Sequence, residues 1–184
     1  AGAVLYRTHE PDLDHMGGLI HRMPVTAFLF LVGSVAISAL PPFNGFVSEW
    51  LLLQAFLFTP GLPHSYLNML VPVAAAVIAL VAALSGYVMV KFYGVVFLGQ
   101  PREATLAEAH DAGIWERTGL LWLATGCVLL GLAPLSAIGL IDPIARAFTG
   151  HGLALGDAAS WLMLAPISAE RAAYSPLAVL LMIV

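Results

Sequence analysis

The stretch that decides how this chain folds is Leu40-Pro41-Pro42-Phe43-Asn44-Gly45-Phe46-Val47-Ser48-Glu49-Trp50. It opens with a Pro-Pro pair that stops a helix. An Asn-Gly pair follows, which favours a turn, and a carboxylate comes directly after. Residues 23–48 contain no Lys, Arg, Asp or Glu, and neither do residues 50–90. Glu49 therefore stands alone in apolar sequence. One helical membrane crossing takes about 20 apolar residues, and both flanks exceed that. An ionisable group at the centre of a membrane helix costs roughly 2.5–3.5 kcal/mol on insertion scales. A chain that keeps one there, beside a break in the helix, has a use for it.

The composition agrees. The 184 residues are 60% hydrophobic and 10% charged, with a mean hydropathy of +0.92. Soluble domains average about 25% charged residues, so a soluble fold of this chain would lack a water-facing surface. The expected class is an all-α, polytopic transmembrane helix bundle with a discontinuous helix. The net charge of −4 gives no sign of nucleic-acid binding. A single cysteine, Cys127, excludes an internal disulfide and any multi-thiolate or iron–sulfur site. There is no Gly-rich phosphate loop and no nucleophile–base constellation. No catalytic chemistry of its own, no cofactor and no metal site is expected. Residues 1–5 read as the tail of a preceding apolar helix, and the apolar run 175–184 is too short to span. The chain is expected to be a fragment of a larger membrane protein, and no signal peptide is read at its start.

Outward from the break, residues 24–40 form an apolar run that Pro24 can begin and Pro41 must end. Residues 46–58 form a helix too short to cross alone, bounded by 41–45 and by Thr59-Pro60-Gly61-Leu62-Pro63. Short segments interrupted by Pro and Gly point to a discontinuous membrane helix. Broken backbone at membrane depth persists only where protein buries it or it lines a watery cavity. Residues 67–98 make one helix of about 48 Å at ~1.5 Å per residue, which must tilt or protrude. Residues 99–117 are a polar connector, with a short surface helix expected over 104–110. Residues 118–141 are free of charge and predict one further span. Asp142-Pro143 is expected to open a mixed region, with an interfacial helix at 161–166 and a last span from Ser175. Three segments result: 1–98, 99–117 and 118–184.

The charges sort almost wholly into the connectors, and Glu49 and Lys91 fall inside apolar runs. A carboxylate removed from water favours its neutral form, and a nearby cation opposes that. A carboxylate whose partner lysine comes and goes is thus a proton switch, the logic of relays in pumps. The alternatives are a structural Glu49 capping backbone N–H groups at the break, and a Lys91 that snorkels to the interface. Asn44, Ser48, Tyr87, Tyr93 and His64 could supply hydrogen bonds beside these groups. In the first connector, His15 and His21 lie six apart across Gly17-Gly18, which is not a metal-ligand spacing on one helix face.

Met16-Gly17-Gly18-Leu19, then Met23-Pro24, a span ending Ser38-Ala39-Leu40-Pro41-Pro42, then Gly45-Phe46-Val47-Ser48-Glu49-Trp50 resembles the antiporter-like membrane subunits of complex I, Mrp antiporters and energy-converting hydrogenases. The run from Pro41 to Leu51 looks closest to the hydrogenase-four component B and formate hydrogenlyase branch. The likeness covers residues 1–100; beyond Arg102 only the pattern matches. It implies inverted repeats, each with a broken helix carrying Lys or Glu on a hydrated axis. Glu49 falls where that family places the Lys or Glu of its second broken helix, and Lys91 where several members place a basic residue. Pro41, Pro42, Asn44, Gly45, Ser48 and Tyr87 would support the broken helix. The resemblance further implies a multi-pass protein in a prokaryotic inner membrane, surrounded by lipid. It would work beside other membrane subunits and peripheral hydrogenase or dehydrogenase subunits, moving protons or sodium ions. The competing expectations are an Mrp-type sodium/proton antiporter subunit and a membrane scaffold that only anchors a peripheral enzyme.

Overall fold

The computed structural model describes residues 2–57, 64–103, 106, 109–150 and 175–183. Every regular element among them is helical: α1 (Gly2–Thr8), α2 (Pro24–Ile37), α3 (Asn44–Leu57), α4 (Ser65–Phe97), α5 (Ile114–Leu132), α6 (Pro134–Thr149) and α7 (Pro176–Ile183). Two 3-10 turns, Leu13–His15 and Leu19–His21, fall between α1 and α2. The chain divides into two compact units. The first joins Ala1–Ser38 to Ala82–Gly126, and the second joins Ala39–Val81 to Cys127–Val184.

α4 is the long helix that the apolar run predicts. Its 33 residues reach about 50 Å, against a hydrocarbon core of about 30 Å. Its apolar side chains are largely exposed, Met69 at 75% and Val90 at 74%, so lipid or further helices must cover them. α2 and α3 have 14 residues each, or about 21 Å, and neither crosses alone. α2 ends at Ile37, three residues before the expected limit. Ser38 and Ala39 leave the helix, Ala39 with a φ of 52°.

In the first unit the core is aromatic and lies between α2 and the end of α4. The Phe30 ring centroid is 5.4 Å from that of Phe92 and 5.3 Å from that of Phe97, and Tyr93 meets Phe97 at 5.1 Å. Val4, Leu19, Val96, Leu106 and Ala109 complete it. The connectors are therefore part of the core. Leu106 is 1% exposed and Ala109 4%; the rest of the short surface helix expected over 104–110 falls mostly outside the described residues, which omit 104, 105, 107 and 108. Gly17-Gly18 has its own explanation here. A Cβ on Gly17 would lie 2.6 Å from the Gln100 carbonyl oxygen, and one on Gly18 2.7 Å from the Pro101 nitrogen. Gly18 also has a φ of +67°, a left-handed conformation that suits glycine. Its N–H donates to the Leu98 carbonyl at 3.0 Å. The glycine pair is the seat on which the chain leaving α4 rests.

The expected single span 118–141 is corrected. α5 stops at Leu132 and α6 restarts at Pro134, with the two axes bent by 88°. Proline removes an N–H and pushes the preceding residue out of the α region. Ala133 obeys, with φ −124° and ψ 59°. A second expectation falls with the first. Asp142-Pro143 does not open a connector; both residues lie inside α6, which runs on to a left-handed Gly150. The expected interfacial helix at 161–166 lies outside the described residues, and the last apolar run is α7.

Candidate functional site

The second unit holds the interrupted helix. The Pro41–Pro42 peptide bond is cis, and the chain re-enters helix at Asn44. Gly131, on the last turn of α5, meets this interruption. A Cβ there would overlap the Pro42 carbonyl oxygen and lie 2.7 Å from both Cα and C of Phe43. The break in sequence before α3 thus packs on α5 two residues ahead of Ala133, where α5 itself breaks. Irregular backbone at membrane depth needs such cover. Below the break, Val47 is 5% exposed. Phe46, Trp50 and Leu51 of α3, Leu135 and Ile138 of α6 and Val179 of α7 pack against it.

Glu49 lies on α3 one turn into the restarted helix and is half-buried. Among the described residues it makes no ion pair and no side-chain hydrogen bond. Asn44, at the first position of α3, has a buried Oδ1 with no hydrogen-bond partner among the described residues. A buried acceptor of that kind costs about 1–3 kcal/mol unless a donor or water meets it. Ser48 is turned to its own helix, its Oγ donating to the Gly45 carbonyl at 2.8 Å. That bond lies within the first turns of the restarted helix. Lys91 belongs to the first unit and is exposed, as is Tyr87 at 65%. His64 stacks on Tyr66, with centroids 5.5 Å apart, and Tyr93 is in the aromatic core.

Three polar arrangements were not legible in the sequence. The first is Asp142, 9% exposed inside α6, with its Oδ2 2.7 Å from Nε of Arg146 one turn on. The second is Asp111, in the connector of the first unit. Its carboxylate accepts from the backbone N–H of Val25 at 3.0 Å and of Thr26 at 3.3 Å, from the Thr26 hydroxyl, and from its neighbour Ala112. Met23, at the cap position of α2, makes no side-chain cap bond, so Asp111 caps that helix from 85 residues away. Burial alone would push its carboxyl up. The Thr26 hydroxyl and the amides of Ala112, Val25 and Thr26 outweigh burial and hold it below the usual aspartate value. The third arrangement joins His15, whose Nδ1 lies 2.9 Å from Glu103 Oε1 and 3.8 Å from Glu10 Oε2. These three ligand atoms lie within 4.8 Å of one another. The sequence comparison of His15 with His21 gave no metal spacing, and the true neighbour is 88 residues away. With His15 51% exposed and Glu103 39%, the group joins two connectors at the surface.

One helix, α4, is long and apolar enough to cross a membrane, and the bent pair α5–α6 passes the same test as one broken span. The chain's relatives make the class specific. Residues 1–79 match the family described as NADH:quinone oxidoreductase/Mrp antiporter, transmembrane. The chain is 38% identical over 149 residues to hydrogenase-4 component B of Escherichia coli K12, which covers 81% of this chain and 22% of the relative. It is 38% identical over 133 residues to formate hydrogenlyase subunit 3 of the same strain, covering 72% of this chain and 22% of the relative. A solved archaeal respiratory membrane complex, the membrane-bound sulfane sulfur reductase, has a chain with the same fold. Its TM-score is 0.68 at 24% identity, over 98% of this chain and 27% of that one. The chain belongs to the antiporter-like integral membrane subunits, on the hydrogenase-4 side of that family. It spans about a fifth of the length of the curated relatives it matches.

Proposed function

We propose that this chain is part of a proton-translocating membrane subunit in a prokaryotic inner membrane. Peripheral hydrogenase- or dehydrogenase-type partner subunits perform the redox chemistry, and Glu49 and Lys91 are charged stations on the proton path. The inverted-repeat organisation of the whole subunit belongs to the same proposal. The observation that carries it is the position of Glu49 one turn past a helix interruption packed on Gly131. At the first position of the same helix, the buried Asn44 Oδ1 has no hydrogen-bond partner among the described residues. Backbone freed at such a break and an open acceptor favour water, and water lets a carboxylate take up and release protons. In the intact complex, Glu49→Gln is expected to lower protons moved per electron while assembly and electron transfer persist. Wild-type stoichiometry in that variant would sink the relay.

The family includes Mrp antiporters, which favours one second reading: sodium/proton exchange without a redox partner. Sodium-driven pH change in vesicles containing the complex but no electron donor would select it.

A further inference from the structure

The first unit carries a groove that the proton path does not use. Val25 and Phe28 of α2 form one wall, and Ile114, Arg117 and Leu121 of α5 form the other, around a cavity of about 460 Å³. The lining is almost wholly apolar, and it is open: Phe28 is 64% exposed and Ile114 76%. Exposed apolar surface of this kind marks a membrane or protein contact. The charge sits at one end. Val25 and Ile114 stand in the first turns of α2 and α5, and Arg117 closes the first turn of α5 beside them. Its side chain is 42% exposed. Its one ionic neighbour among the described residues is Asp111, at 3.6 Å from Nη2, and its buried Nε has no hydrogen-bond partner there. That carboxylate is already engaged. It accepts from the amides of Val25, Thr26 and Ala112 and from the Thr26 hydroxyl, and its side chain is only 10% exposed. The other acid nearby, Glu116, accepts from the Gly113 amide at 3.0 Å and lies 3.6 Å from Arg7. The acids are thus turned onto the fold, and the guanidinium of Arg117 keeps donors unfilled at the groove. Arg22, two residues ahead of Pro24, is exposed and unpaired among the described residues. Trp115, on the first turn of α5, is 88% exposed, and tryptophan favours the headgroup level of a bilayer.

We propose that the groove between α2 and α5 is a site for an anionic phospholipid, with an acyl chain along the apolar walls and the phosphate on Arg117 at the mouth. Guanidinium donors form strong, charge-assisted hydrogen bonds to phosphate oxygens. Basic pockets between membrane helices are where anionic headgroups bind. A zwitterionic headgroup brings its own cation to the same place and gains less from Arg117. The site needs only the membrane setting of this chain and stands apart from the proton path.

The test is photolabelling of the intact complex in nanodiscs. The probes are phosphatidylglycerol and phosphatidylcholine, each with a diazirine on one acyl chain, and the readout is label on the peptides that line the groove, 24–29 and 114–121. Phosphatidylglycerol is expected to label them about five-fold more than phosphatidylcholine, the ratio that one basic residue near a membrane surface supplies. The preference should vanish in Arg117→Gln and persist in Arg117→Lys. Val25→Trp fills the groove from its open wall and should cut labelling by both probes. Equal labelling by the two probes in the wild type would show a groove that takes any chain and no headgroup site. No label from either would show that a helix of the complex covers the groove. Either result overturns the proposal, as does a preference that survives Arg117→Gln. Should Arg117→Gln fail to assemble, the wild-type ratio is compared at low and high salt. A ratio that falls toward one in high salt supports the charged mouth, and a ratio unmoved by salt overturns it.

Discussion

Replacing Gly131 by alanine should injure this protein far more than the same replacement five residues earlier. At Gly131 the new methyl would overlap the Pro42 carbonyl oxygen and lie 2.7 Å from two Phe43 backbone atoms, about 0.7 Å short of ordinary contact. The colliding atoms are backbone on both sides, so no side chain can swing away. Relief requires the interruption before α3 to move off α5, and overpacking of this kind costs about 1–3 kcal/mol or more. At Gly126, on the same helix, a Cβ meets nothing within 4 Å. There alanine gains up to about 1 kcal/mol of helix propensity. The two variants should therefore differ by roughly 1–4 kcal/mol, with Gly131→Ala the less stable. Thermal unfolding of the detergent-solubilised complex, followed by size-exclusion fluorescence, reads the difference. Gly131→Ala is expected to lower the transition well below wild type, with Gly126→Ala at or above it. Equal transitions in the two variants would show that the interruption does not pack on α5. The cover argued for the broken backbone beside Glu49 would go with it.

Gly18→Ala should also destabilise, because the residue has a left-handed φ and its Cβ would meet the Pro101 backbone at 2.7 Å; limited proteolysis of the 98–103 connector is expected to speed up. Asp111→Ala should cost about 1–2 kcal/mol by uncapping α2, read as a lower unfolding transition. Because the folded-state pKa of Asp111 is lowered, its contribution is fully present above the unfolded value of about 3.9 and is lost as pH falls through the folded value. The gap between wild type and Asp111→Ala should therefore close only in acid, below about pH 4, and a gap closing near neutrality would contradict the cap. His15→Ala should change stability by no more than about 1 kcal/mol, since exposed ion pairs contribute little.

The helices that sequence places well are those whose ends carry proline or whose interiors carry no charge. Pro24 and Pro41-Pro42 reappear as a helix limit and a break, and the run expected to end at residue 98 ends as a helix at Phe97. Pro134 carried the same signal inside the run 118–141, and its breaking power outweighs the apolar composition around it. The resemblance carried Glu49, because a lone carboxylate beside Pro-Pro is a local pattern. Asp142 was hidden by its neighbour Pro143, which reads as a helix end but lies inside α6. The Asp111 cap and the His15–Glu103 contact span 85 and 88 residues, and no spacing rule reaches across such distances. Gly131 looks like any helix glycine until the interruption before α3 is set against it.

On the proposed path Glu49 changes protonation as the complex works. Infrared difference spectroscopy of the intact complex, with and without electron donor, observes that event directly through the carboxylic-acid stretching band. The expected result is a turnover-dependent band that shifts with isotope-labelled glutamate and disappears in Glu49→Gln. A complex that moves protons at the wild-type rate with no carboxyl band dependent on Glu49 would contradict the account.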